Sequence, residues 1–100
     1  MVNGPRDIYI GQANAGNKNR SLALTTTYQI VMPENAARVG FVFESDPDNT
    51  VNVWVRFNEI VYELVPGGSL SRSKATGSVW TGVVEARTAS STANLIAEEN

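Results

Sequence analysis

Through the middle of the chain apolar residues recur at every second position. In TVNVWVRF (50–57), Val51, Val53, Val55 and Phe57 alternate with Asn52, Trp54 and Arg56. In IVYELV (60–65), Ile60, Tyr62 and Leu64 share one parity, and Val61 and Glu63 the other. Successive side chains of a strand point to opposite faces, so this period predicts two half-buried strands. Between them stands Asn58-Glu59, read as a two-residue hairpin loop. Asn tolerates the positive φ of such a turn, whereas Glu in the second place is less usual than Gly. That loop sets Phe57 opposite Ile60, Val55 opposite Tyr62 and Val53 opposite Leu64. The apolar parity, Val51 included, is assigned to the core. The reverse face carries Asn52, Trp54, Arg56, Val61 and Glu63, with Trp54 opposite Glu63.

The same pattern extends in both directions. Thr25, Thr26, Thr27, Tyr28, Ile30 and Val31 form a β-branched and aromatic run that Pro33 stops. ENAA (34–37) makes at most a helical turn, and RVGFVFES (38–45) predicts a strand with Val39, Phe41 and Phe43 on one face. SDPDN (45–49) is dense in turn formers, and PGG (66–68) ends the central hairpin. SLS is a short strand and RSKATG (72–77) a polar loop. SVWTGVVEA (78–86) and TANLIAE (92–98) are expected to form the last strand pair. About seven short strands with regular turn signals predict an all-β chain, a single antiparallel β-sandwich of jelly-roll or Ig-like type. Residues 21–100 are assigned to that domain.

Residues 1–20 differ. Gly and Asn dominate, the net charge is +2 (Arg6, Lys18 and Arg20 against Asp7), and Ile8, Tyr9 and Ile10 form an isolated apolar triplet. This composition reads as an extended N-terminal arm with one apolar anchor, or as a loose terminus.

Composition narrows the function classes. With 8 Lys+Arg against 10 Asp+Glu the chain lacks the positive field of a nucleic-acid binder. It has no Cys and no His, which removes thiolate chemistry and the commonest general base and metal ligand. No apolar run reaches the ~18 residues that span a bilayer, so no membrane partner is expected. PGGS is not followed by a helix and lacks the Lys-Ser or Lys-Thr ending of a phosphate cradle, so it reads as a turn. Ser71-Arg72-Ser73-Lys74 matches an S-x-x-K pattern without the partner motifs of acyltransferases. A calcium loop from Asp46 would need Gly and Glu where Val51 and Phe57 stand. Glu59 and Glu63 lie at a tight turn with no cleft for a glycosidase pair. No catalytic residue, metal or cofactor is expected.

What remains is contact chemistry. Trp54 with Arg56 on a mixed face resembles the anchors enriched at protein interfaces; the other reading is cover by the chain's own arm or loops. Trp80, flanked by Val79, Thr81 and Val83, is assigned to core packing. Candidate partner contacts are Ile8, Tyr9, Ile10, Trp54, Arg56, Arg72 and Lys74.

One resemblance joins these segments. TTTYQIVMPENAARVGFVFES, VNVWVRF, LVPGGSLSR, TGSVWTGVVEA and STANLIAEE follow one another between Thr25 and Glu99. In order and spacing they resemble a small all-β family of virion proteins of tailed bacteriophages, patterned TTxxQxLxPxNxxRxGxxFxN, VxVxF, LxPGGSL, TGxVWA and GTAxLxVxE. Asn58-Glu59 and Asn94 depart from that pattern. The resemblance implies a structural role: a capsid decoration (cement) protein on the capsid exterior, made in the host bacterial cytoplasm. Its partner would be the major capsid protein, and it would form a homo-oligomer such as a trimer. The alternative is a tail- or head-fibre domain, or a carbohydrate-binding module using Trp54 with Asn52 and Glu63.

Overall fold

The computed structural model describes residues 18–100, with side chains from Ser21 onward except Thr76. Eight strands follow in order: β1 Lys18–Leu24, β2 Gln29–Met32, β3 Gly40–Ser45, β4 Val53–Phe57, β5 Ile60–Leu64, β6 Ser69–Ser73, β7 Val84–Thr88 and β8 Ala93–Glu99. A single 3₁₀ turn, Lys74–Thr76, follows β6. Among the described residues no helix is long and apolar enough to cross a membrane.

The strands form two four-stranded antiparallel sheets, ordered β1-β8-β3-β6 and β2-β7-β4-β5. The pairs β1–β8, β2–β7, β3–β6 and β4–β5 are nested one inside the next. The chain is thus one long hairpin whose tip is Asn58-Glu59, rolled so that β3 also meets β8 and β4 also meets β7. This is the jelly-roll form of the expected sandwich.

The central hairpin has the register its alternation predicts, from Val53 opposite Leu64 to Phe57 opposite Ile60. Its tip has φ of 52° at Asn58 and 63° at Glu59, both in the left-handed region of a type I′ turn. The inward parity supplies the core: Phe41, Phe43, Val53, Val55, Phe57, Leu64, Val84 and Leu95 are all buried. Phe57 links the two sheets, its ring 5.3 Å from that of Phe41 and stacked 4.8 Å from that of Tyr62. Each fully buried side chain of this size contributes ~1.5–3 kcal/mol by leaving water.

Several expectations need correction. Thr25, Thr26 and Thr27 lie outside any strand. The chain must leave one sheet for the other there, and the Thr25 carbonyl instead accepts from the Thr88 amide at 2.8 Å. Lys18, Asn19 and Arg20, expected in the arm, are the first three residues of β1. Residues 78–83 are not strand: the carbonyls of Trp80 and Gly82 serve Arg38, described below, and that of Thr81 accepts from the Asn35 amide. The two last strands do not pair with each other: β7 lies between β2 and β4, and β8 between β1 and β3. Ile60, at the tip of an edge strand, is 49% exposed rather than core. Val39 is 47% exposed, since the end of the core it would fill is taken by the Arg38 guanidinium, 5.9 Å from the Phe41 ring centroid.

Arg38 is fully buried, and its partners explain why. Its Nε donates to Glu99 Oε2 at 2.8 Å, Nη1 to the carbonyls of Trp80 (2.8 Å) and Gly82 (3.0 Å), and Nη2 to that of Pro33 (2.6 Å). Asn35 Nδ2 adds a bond to the same Glu99 oxygen at 3.2 Å. The planar guanidinium, with donors on three nitrogens, thus ties two loops to the last residues of β8. Nothing larger than Gly suits position 82, where a Cβ would lie 2.5 Å from the Trp80 ring.

The opposite end is held by amides and turns. Asn49 Nδ2 donates to the Asn94 carbonyl at 2.8 Å, and Asn49 Oδ1 accepts from the Asn94 amide at 2.9 Å. Its side chain thus acts as one more rung beside the start of β8. In Val65-Pro66-Gly67-Gly68 the Gly68 amide donates to the Val65 carbonyl at 2.7 Å, and Gly67 has φ of 81°. That is a type II turn, with Pro and Gly where its dihedrals require them.

Candidate interaction face

The outward parity of β2, β7, β4 and β5 carries large aromatic, aliphatic and charged side chains. Trp54 lies between Arg87 of β7 and Glu63 of β5, and Arg56 between Glu85 and Val61. The Arg87 guanidinium carbon sits 4.0 Å from the Trp54 ring centroid and 5.3 Å from that of Tyr28. The guanidinium carbon of Arg56 lies over the other end of the row, 3.8 Å from the Tyr28 centroid. Tyr28, Arg87 and Trp54 therefore form one stack, and Arg56 caps it.

Arg56 and Glu85 form an ion pair on this face, while Glu63 is held by an amide and Arg87 by the carbonyls of Thr26 and Thr88. Arg56 Nη2 meets Glu85 Oε1 at 2.6 Å, and Asn52 Nδ2 donates to Glu63 Oε2 at 2.6 Å. The Glu85 hydrogen bond, aided by the negative charge of Glu85, raises the Arg56 pKa above its ordinary value despite a desolvation effect in the other direction. Arg56 is cationic at every working pH. Around these pairs, Ile30, Val61 and Val83 are exposed at 58%, 51% and 39%. The buried indole N–H of Trp54 has no acceptor among the described residues.

At the hairpin end this face runs into an open groove of ≈ 630 Å³. Arg56, Glu85, Val61, Val83, Trp80 and Glu59 contribute to its lining. Trp80 is half-buried against the core, as its apolar flanks predict, and its Nε1 donates to the Val83 carbonyl at 3.0 Å.

The other sequence candidates lie elsewhere. Arg72 is in β6 rather than in a loop; its guanidinium carbon lies 5.3 Å from the Tyr62 ring centroid, covering the gap between the β5 and β6 edges. Lys74 is exposed in the 3₁₀ turn. Neither joins Trp54 and Arg56, so the candidates do not form one patch. Ile8, Tyr9 and Ile10 lie outside the described residues. Tyr28, Glu85 and Arg87 were missed as members of the face. The expected strand ended at residue 86, short of Arg87, and the pairing of β7 with β4 is what brings Glu85 and Arg87 beside Arg56 and Trp54. Among the described residues no group of three acidic side chains could hold a metal ion. The acidic turn at 46–49 instead uses Asp46 Oδ1 to accept the Asp48 amide at 2.9 Å.

Compared with protein-family models, curated proteins and solved structures, the chain matches none of them.

Proposed function

We propose that this protein is a structural component of a tailed-bacteriophage particle, a decoration protein that docks on the assembled capsid through the outer face of β2-β7-β4-β5. The observation that carries the docking is the Tyr28–Arg87–Trp54 stack with Arg56 at its end, rimmed by exposed Ile30, Val61 and Val83. Tyr, Trp and Arg are the residue types that dominate protein-binding energies, and here their side chains are already ordered by one another. The particle rests on the motif order from TTTYQ to STANLIAEE. Binding only the assembled lattice stabilises it by mass action, and a ring such as a trimer would match local capsid symmetry.

The same face suits a sugar less well. A flat aromatic platform is missing at Trp54, where Arg87 lies against the ring and Asn52 and Glu63 are engaged with each other.

Cosedimentation with undecorated heads tests this reading. The wild-type protein should pellet with heads, and the Trp54→Ala and Val61→Glu variants should remain largely in the supernatant. Wild-type protein left in the supernatant refutes the capsid partner; variants that pellet like wild type refute the docking face.

A further inference from the structure

β5 is the last strand of its sheet, with no strand beyond it among the described residues. The two-residue turn makes Phe57 and Ile60 the closing hydrogen-bonded pair, and such pairs alternate along an antiparallel ladder. Ile60, Tyr62 and Leu64 therefore bond to β4, through Phe57, Val55 and Val53. Val61 and Glu63 turn their amides and carbonyls outward, away from β4, where no described strand meets them.

Sheet edges are usually blunted by charge, shortness, proline or a bulge. The other three edges carry such devices. β2 has four residues and a bulge after Ile30. β6 presents Arg72 among three serines, and the sequence of β1 contains Lys18 and Arg20. IVYEL has neither proline nor lysine, keeps its register throughout, and leaves Ile60, Val61 and the adjoining Val65 exposed. Its single charge, Glu63, is already engaged by Asn52.

An open edge takes an extended backbone in register, and the same strand of a second copy meets that demand. Side-chain chemistry then selects one register, because only Val61 and Glu63 present outward backbone groups within β5. Glu63 against Glu63 sets like charges opposite each other. Val61 against Val61 leaves Glu63 facing Glu59, also a like charge, in a turn whose φ of 63° no ladder continues. Val61 against Glu63 avoids both and makes two hydrogen bonds at each of two such pairs.

We propose that β5 pairs antiparallel with β5 of a second copy about a two-fold axis at Tyr62, joining two four-stranded sheets into one. Tyr62 then lies opposite Tyr62, and Ile60 opposite Leu64, so the exposed Ile60 gains apolar cover. On the outer face each Glu63 shares a row with the other copy's Arg56, which stands opposite Val61. Two strand spacings of ~4.8 Å separate that pair, inside the ~10 Å screening length at 0.1 M salt. Asn52, one residue before β4, holds each Glu63 carboxylate on the side away from the axis, which keeps the two carboxylates apart. The axis is perpendicular to the sheet, so both outer faces point the same way and the Tyr28–Arg87–Trp54 stack is presented twice. The pair does not rest on the capsid reading, and it is a two-fold assembly rather than a three-fold ring.

The seam is smaller than the ~1,200 Å² of standard interfaces, so the pair should dissociate between about 500 and 5 µM protein. Sedimentation velocity over that range should show the dimer mass giving way to the monomer mass. Glu63→Pro removes an outward amide that β4 does not use, so it should stay monomeric throughout with an unchanged circular dichroism spectrum. Tyr62→Cys reads the register independently, since the chain has no cysteine of its own. Across the axis its two Cα atoms lie about 4.5 Å apart, within disulfide reach. Mild oxidation should convert Tyr62→Cys largely to covalent dimer, while Glu63→Cys, about 7–8 Å from its counterpart, should not cross-link. Wild type that is monomeric or trimeric at the highest concentration overturns the pairing. So does a folded Glu63→Pro variant that still dimerises, or a Tyr62→Cys variant that does not cross-link. No capsid enters these measurements, so either proposal can fail without the other.

Discussion

Replacing Glu99 by Gln removes the only counter-charge that a fully buried arginine has among the described residues, and changes almost no volume. Arg38 would keep its bonds to the carbonyls of Pro33, Trp80 and Gly82, and the Gln oxygen can still accept from Nε. What is lost is the negative charge 2.8 Å from the guanidinium, at a site where Arg38 is 0% exposed. Removing one partner of a buried pair costs about 3–5 kcal/mol, mostly because the remaining charge is left desolvated. The surviving hydrogen bonds put this case near 3 kcal/mol. For a domain of this size that lowers Tm by about 12–24 °C, at roughly 4–8 °C per kcal/mol. Glu98 is an internal control: it is the preceding residue of β8 and faces outward, so Glu98→Gln should stay within about 0.5 kcal/mol of wild type. Urea titrations followed by tryptophan fluorescence and circular dichroism give both values. A cost below about 1 kcal/mol for Glu99→Gln, the size of an exposed pair, would refute the argument that the buried charge needs its partner.

Three other substitutions probe the local geometry. Glu59→Gly relieves a side chain held at φ 63° and should stabilise the protein by about 0.5–1 kcal/mol, seen as a higher urea midpoint at unchanged slope. Gly82→Ala places a methyl 2.5 Å from the Trp80 ring and should cost about 1–3 kcal/mol, with a shift in tryptophan emission as the indole is pushed aside. Asn49→Ala deletes the two-point clamp on Asn94 and should cost about 1–3 kcal/mol, with faster amide exchange at Asn94 than in wild type.

The central hairpin was legible in the sequence because everything that fixes it is local. Alternation sets the two faces, and a two-residue loop leaves one register, which placed Trp54 opposite Glu63 and Val55 opposite Tyr62. The turn chemistry of Pro66-Gly67 was legible for the same reason. The errors arose where distant segments decide. Thr25–Thr27 have strong strand preference but stand where the chain changes sheets. Val31 and Met32 are both buried because a bulge after Ile30 breaks the alternation of β2. Residues 78–83 look like strand from Val79, Trp80 and Val83, yet the carbonyls of Trp80 and Gly82 are claimed by an arginine some forty positions away. Half of the interaction face was visible, since Trp54 and Arg56 share a strand. The other half, Arg87 and Glu85, depends on which strand lies beside β4, and nothing local encodes that neighbour.

The nested pairing also implies an order of events in time. Asn58-Glu59 closes the smallest loop, so β4 and β5 can meet at once, at the microsecond scale of an isolated hairpin. Each further pair encloses the one before, and β1 with β8 joins Lys18 to Glu99 across nearly the whole described chain. Loop entropy must be overcome before those outer contacts return anything, so folding belongs in the slow, millisecond-to-second class of non-local β proteins. Glu99 reaches Arg38 only in the final wrap. The charge pair that locks the finished sandwich is thus absent while it is being built, and it should act mainly by slowing unfolding.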